Sequence, residues 1–324
     1  MRQISLDAIT DAAGHVYEAA VRTPLVKLDL PFAAGGAAAP EVYLKLESLQ
    51  PIGSFKIRGA WNAVRKLTPE QTKEGVWTVS AGNAAQGVAF AARLAGVPCS
   101  VMVMDTAPQT KLRAIEKLGA TIVRVGYDEC WKTVESHSSP RMRGHFVHPF
   151  DDDDFIAGNA TAGLEILEDL PDVDAVVAAL GGGGLLSGIA SVMRAKKPGV
   201  RVFAAEPETA APLDLSLKRG EASYFEGWRP SFVDGAGGKS VLATMWPLLK
   251  TLVDGSIVMP LDAIASAMRT TADRVHVVAE GAAGTAIAAA LSGRAGTGKI
   301  VAVVSGGNID LSRFSELVSA HTNV

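Results

Sequence analysis

Nine short runs rich in valine, isoleucine and alanine punctuate the chain, and between them apolar positions recur at helical spacing. The runs are EVYLKLE (41–47), VWTVS (76–80), SVMVM (100–104), TIVRVG (121–126), HFVHP (145–149), AVVAAL (175–180), RVFAAEP (201–207), SIVMP (256–260) and KIVAVVS (299–305). Most are apolar throughout rather than alternating, as strands covered on both faces of a parallel sheet are. NAAQGVAFAARLAG (83–96) has Ala, Val, Phe and Leu at helical spacing and stops at Gly96. PQTKLRAIEKLGA (108–120) opens with Pro108 and stops at Gly119, the proline-in, glycine-out arrangement of a helix. Strand alternating with helix predicts an α/β fold with right-handed crossovers.

The units from about Val76 to Val125 form a compact group, and polar SHSSPRMRGH (136–145) reads as a domain crossing. AAGGAAAP (33–40) reads as a loose surface loop. DDDD (151–154) reads as a solvated turn or a helix N-terminus, where negative charge suits the dipole.

Composition narrows the function. A chain of 324 residues, 48% apolar and 20% charged, can bury a sizeable core in one large domain or two ordinary ones. A net charge of −3 with no basic stripe, and only 6% aromatics, argues against nucleic acid and anionic membranes. Cys99 and Cys130 form no CxxC, which predicts reduced thiols rather than a disulfide framework or zinc knuckle. The N-terminus has no signal-like apolar run, and no stretch approaches the ~18 unbroken apolar residues of a membrane span. A soluble cytoplasmic protein is expected.

Chemistry concentrates at strand ends. AVVAALGGGGLLSGIASVM sets Gly181 to Gly184 between a strand and a helix, where backbone N–H groups converge on an anion. Gly182-x-Gly184-x-x-Ser187, followed by Glu206, nearly matches a dinucleotide fingerprint, but Ser187 stands at the third glycine. A phosphate monoester fits as well. Ser80, Gly82 and Asn83 end one strand, and Ser305, Gly306, Gly307 and Asn308 end another. Ligands of open α/β sheets bind beyond such ends. Lys56, between Phe55 and Ile57 at a turn–helix junction, is unusual for a lysine. Burial there lowers its basicity and suits it to form a Schiff base with a carbonyl compound. Pyridoxal 5′-phosphate joins a carbonyl to a phosphate monoester.

GSFKIRGA, SAGNAAQG, GGGGLLSG and SGGN, in that order, resemble the serine/threonine dehydratase family of fold-type II pyridoxal-phosphate enzymes, which includes serine racemase. The resemblance implies two domains, each an open, mostly parallel twisted sheet with helices on both faces, as in the tryptophan synthase β chain. Residues 1–69 and 146–324 would form the large cofactor domain and 70–145 the small one. It implies Lys56 as the Schiff-base lysine, Phe55 against the cofactor ring, Asn83 on the ring hydroxyl and Ser305 facing the ring nitrogen. Gly181, Gly182, Gly183, Gly184 and Leu185 would hold the phosphate. Ser54, Ser80 and the first amides of the Asn83 helix would take the substrate carboxylate, with Ala81, Gly82 and Ala84 beside them. Glu280 either caps its helix or lies near the ring. A homo-oligomer, first of all a dimer, is implied. A neutral hydroxyl at Ser305 would not keep the ring nitrogen protonated, which suits β-elimination.

Several positions depart from the family. Ala84 replaces a histidine, leaving either a water-filled gap or a roomier pocket for a bulkier, β-aryl substituent. Ala81 replaces the racemases' second acid/base serine, so racemisation is expected to be poor. In EPETAAPLD the divalent-cation pattern keeps Glu206 and the Ala210 carbonyl, but Pro212 stands at the second acid and Asp214 comes two residues late. Glu206 is therefore either a ligand or structural. AGNAT (157–161) replaces AGQGT without evident reason. The end at Val324 leaves no room for a regulatory domain, so distant feedback inhibition is not expected. The expected activity is elimination from a 2-amino-3-hydroxy acid such as L-threonine or L-serine, giving a 2-oxo acid and ammonia. The alternatives are a β-replacement synthase of the same fold, an NAD-dependent oxidoreductase and a non-catalytic small-molecule binder.

Overall fold

The computed structural model describes residues 2–29 and 40–319. The loop expected at 33–40, apart from Pro40, lies outside them, as does Val324. Among the described residues, ten strands form two sheets. The larger joins β1 (Leu25–Lys27), β2 (Glu41–Lys45), β7 (Ala175–Ala179), β8 (Arg201–Pro207), β9 (Gly255–Met259) and β10 (Lys299–Val303) in the order β1-β2-β10-β7-β8-β9. The smaller runs β5 (Thr121–Val125), β4 (Cys99–Met104), β3 (Val76–Val79), β6 (His145–Phe146). Every pairing is parallel except β1 with β2. β1 is a three-residue edge strand with no run of its own in the sequence.

The unbroken apolar runs follow from burial on both faces. Val176 and Ala178 of β7 point into a core with Leu186 and Ile189 of helix Gly184–Lys196. Ala175 and Val177 point the other way, onto Ala283, Ala286 and Ile287 of helix Gly281–Leu291. That helix buries every residue from Gly281 to Ala290, which explains its nearly featureless apolar sequence. β6 belongs to the small sheet, Phe146 standing opposite Trp77, so a boundary at 145/146 passes through this strand. One apolar core also runs from Trp61 and Val64 to Val76, Val88 and Val101, continuous across position 70.

Helix Lys56–Arg65, which begins at the lysine, packs against helices Asn83–Ala95 and Asp153–Asp169. Helix Lys56–Arg65 crosses helix Asp153–Asp169 at glycines. A Cβ on Gly158 would lie 2.4 Å from the Arg58 carbonyl oxygen, and one on Gly59 would lie 2.4 Å from the Phe155 ring. Asn159, at the unexplained AGNAT position, accepts the Gly59 N–H with its Oδ1 at 3.1 Å. It thereby ties the first turn of the Lys56 helix to its neighbour. The acidic run begins helix Asp153–Asp169 as expected, with the Asp152 side chain accepting the Phe155 N–H at 2.9 Å. Asp151 departs from the solvated reading: it is buried, bound by the Arg2 guanidinium and by the Thr244 hydroxyl at 2.6 Å.

Candidate active site

The GSFK turn and the SGGN segment are stitched together by backbone. Phe55 N–H donates to the Ser305 carbonyl at 3.0 Å, and Gly307 N–H to the Gly53 carbonyl at 2.9 Å. Asn308 Nδ2 adds bonds to the Ile52 carbonyl and to Asn83 Oδ1, both 2.8 Å. Asn83 Nδ2 donates to Glu280 Oε1 at 2.8 Å. Three strand-end motifs far apart in sequence therefore meet at the carboxyl ends of β3, β7 and β10. They border a cavity of about 650 Å³ lined by Lys56, Ser80, Asn83, Gly181 and Ser305 among others.

Lys56 opens its helix and directs Nζ between the Phe55 and Phe155 rings, 5.2 Å from each ring centre. Nζ donates to the Pro149 carbonyl at 2.5 Å and, among the described residues, has no carboxylate partner. Burial without a counter-charge lowers its pKa to about 7. The amine is therefore substantially neutral, and nucleophilic, at physiological pH.

The glycine run follows β7 and begins a 13-residue helix whose N-terminus has no side-chain cap. Its first N–H groups have no intrahelical acceptor, and the helix dipole adds positive potential. Gly183 sits at φ 93°, a left-handed conformation open to glycine. A Cβ on Gly182 would lie 2.1 Å from the Phe150 ring, and one on Gly184 would lie 2.9 Å from the Phe150 carbonyl oxygen. Phe150 thus floors the glycine turn, a contact with no signal in the sequence. The Ser187 hydroxyl, one turn on, is buried without a partner.

Other expected positions fall in two groups. Phe55, Ala81, Gly82, Ala84, Gly182, Gly183, Gly184, Leu185 and Glu280 all line the cavity. Ser54 does not. Its hydroxyl is buried without a partner, and its backbone bridges to Gly306. Glu280 occupies the cap position of its helix, yet its side chain turns to Asn83 instead of capping. Burial, reinforced by Asp234, raises its pKa to about 8, so it is largely a neutral acid at pH 7. Ser305, just past the end of β10, lines the cavity and is 4% exposed.

Glu206, Ala210 and Asp214 lie away from this cavity. Glu206 Oε1 and Oε2 accept the Leu213 and Asp214 N–H groups, each at 2.8 Å, and Oε2 also accepts the Ser256 hydroxyl at 2.6 Å. Glu206 is thus the cap of helix Pro212–Arg219, and burial raises its pKa to about 7. Asp214 pairs with Lys218 at 2.6 Å. This geometry favours the structural reading over a cation set, and Glu206, held by its own helix outside the cavity, is not placed for a dinucleotide ribose there.

An uncapped, glycine-lined helix N-terminus and a half-buried, weakly basic lysine on one cavity fit a phosphate-bearing aldehyde. A family model described as pyridoxal-phosphate dependent enzyme matches residues 16–306. The chain belongs to this family. It is 40% identical over 282 residues to L-threonine ammonia-lyase of Thermotoga maritima, covering 86% of this chain and 70% of that protein. To the catabolic L-threonine dehydratase of Staphylococcus aureus it is 33% identical over 327 residues, covering 99% and 94%. Maize serine racemase superposes with a TM-score of 0.85 at 29% identity, covering 99% of this chain and 98% of that one. Fold-type II architecture and pyridoxal phosphate as cofactor follow from this membership. Among the described residues no helix is long and apolar enough to cross a membrane.

Proposed function

We propose that the chain is an ammonia-lyase that converts L-threonine or L-serine to a 2-oxo acid and ammonia, with Lys56 as the cofactor-bearing base. The observation that carries this is the Lys56 amine, set on one cavity with the Gly181–Gly184 helix terminus, in a chain 40% identical to a threonine ammonia-lyase. Pyridoxal phosphate, when bound, supplies an aldehyde for amines and a conjugated ring that withdraws electron density from the substrate Cα. The Gly181–Leu185 amides would receive its phosphate, Phe55 would face the ring and Ser305 its nitrogen.

Substrate handling falls to the small sheet. Ser80 and the N-terminus of helix Asn83–Ala95 present donors for the carboxylate. The Lys56 amine, with pKa about 7, takes the α-proton. The β-hydroxyl departs with a proton as water, and hydrolysis later restores that water as ammonia leaves. The part-buried Asn83–Glu280 pair presents a largely neutral acid beside the site. Ala81 supplies no acid or base on the second face, which favours elimination over racemisation.

Ammonia and 2-oxo acid release from serine, threonine and phenylserine stereoisomers tests the activity. Borohydride reduction followed by peptide mapping tests Lys56. Pyruvate from L-serine in deuterated water without D-serine is the expected product pattern. Racemisation as fast as elimination would refute the role given to Ala81. A cytoplasmic dimer belongs to the same proposal, and light scattering of the purified protein tests the dimer.

A further inference from the structure

The segment His148–Pro149–Phe150–Asp151 links Lys56 to the glycine turn. Its central peptide unit has two ends in use. The Pro149 carbonyl accepts Lys56 Nζ at 2.5 Å, and the Phe150 N–H of the same planar unit donates to His148 Nδ1 at 3.3 Å. His148 Nδ1 also accepts the Asp151 N–H at 2.7 Å. With Nδ1 accepting, the neutral ring carries its proton on Nε2, which faces the Val134 carbonyl at 3.2 Å. Asp151 is anchored in turn by Arg2, by the Thr244 hydroxyl at 2.6 Å and by His137 Nε2 at 3.5 Å.

His137, His148 and Asp151 bring ligand atoms within 4.8 Å of one another. They nevertheless make a poor cation site. Both His148 nitrogens are engaged, and the Asp151 oxygens already serve a guanidinium and a hydroxyl. The cluster is a clasp on the backbone.

We propose that His148 is a positioning residue for the Lys56 amine. It holds the Phe150 N–H, which fixes the direction of the Pro149 carbonyl. That carbonyl takes one N–H of Lys56 and so turns the nitrogen lone pair away from the backbone and into the cavity. Asp151 fixes the turn against Arg2 and Thr244. This rests on Lys56 being the cofactor lysine and α-proton base.

Three variants test it: His148→Leu, which removes the acceptor; His148→Asn, whose Oδ1 stands in for Nδ1; and Asp151→Asn. A misdirected amine loses up to about a hundredfold in kcat, so His148→Leu is expected to fall at least about tenfold with KM little changed. The primary isotope effect on kcat with α-deuterated L-threonine rises, because proton abstraction becomes slower than the other steps. Independently of turnover, pyridoxal phosphate added to the apoprotein becomes reducible onto Lys56 at least about tenfold more slowly. His148→Asn restores both readouts to within about threefold of the parent. If His148→Leu does not fold, Asp151→Asn shows the same changes in smaller size. Unchanged isotope effect and capture rate in the folded variants, or equal losses in His148→Leu and His148→Asn, overturn the proposal. Failure of borohydride to label Lys56 in the parent protein overturns the lyase reading instead.

Discussion

Arg58, two residues after Lys56 on the same helix, is fully buried, and its replacement by methionine is expected to destabilise the protein by about 3–5 kcal/mol. The magnitude follows from what surrounds it. Nε and Nη2 reach Glu47 at 2.7 and 2.8 Å, and Nη1 and Nη2 reach Glu165 at 2.6 and 3.0 Å. Lys45 pairs with Glu165 at 2.6 Å, also out of solvent. Two carboxylates and two cations thus balance in a closed space. Methionine matches much of the stem but leaves two carboxylates against one ammonium. Burial pushes the Glu165 carboxyl up, but Arg58 and Lys45 outweigh it and hold it below the usual range. That contribution is present above the unfolded pKa and lost as pH falls through the folded one. Without Arg58 the shift reverses, so the variant recovers stability as the pH is lowered and the stranded acid takes a proton.

The assay is urea unfolding at pH 8 and pH 5.5, followed by far-ultraviolet circular dichroism and by tryptophan fluorescence. Coincidence of the two probes is needed before a two-state free energy is assigned to a two-sheet chain. The deciding comparison is Arg58→Met made in a Glu47→Gln, Glu165→Gln background, where no carboxylate is stranded. There the arginine change is expected to cost less than half as much. An equal cost in both backgrounds would show that packing around the guanidinium, not charge balance, carries the loss.

Gly182→Ala places a methyl 2.1 Å from the Phe150 ring, so the ring or the glycine turn must shift; a loss of at least about tenfold in pyridoxal-phosphate affinity is expected in a fluorescence titration. Ala84 is 4% exposed at the cavity wall, and Ala84→His is expected to shift kcat/KM toward L-threonine or L-serine over phenylserine by about tenfold, ~1.4 kcal/mol. An unchanged ratio would remove Ala84 from the side-chain pocket. Capture of pyridoxal phosphate by the apoprotein should rise with pH and reach half its maximum near pH 7, where the Lys56 amine loses its proton. A midpoint near the ~10.4 of an ordinary lysine would show that the amine is solvated.

What could be read from the sequence was whatever is local. Glycines before a helix, strand ends carrying Ser, Gly and Asn, and a lysine in an apolar turn each signal their chemistry within a few residues. The long-range partners carry no such signal. Arg58 finds Glu165 across 107 positions and Lys56 finds Pro149 across 93. Nothing local distinguishes Asp151, buried under Arg2, from the other aspartates of its run. Asn159 is an arbitrary replacement in the sequence alone; its reason is the Gly59 N–H, a hundred positions away, that its oxygen accepts.

Glu206 shows the converse hazard. Its spacing after the glycines suited a ribose and its spacing before Ala210 suited a cation, yet both oxygens are taken by the helix that follows. A carboxylate near the end of the preceding strand can satisfy the free N–H groups of a proline-initiated helix whatever else lies nearby. Spacing motifs built on a single acid at a strand end therefore need the next helix to be capped by something else before they identify a ligand. The Gly181–Gly184 helix meets that condition in reverse. It has no side-chain cap of its own, so its N-terminal donors stay available to an anion from outside the chain.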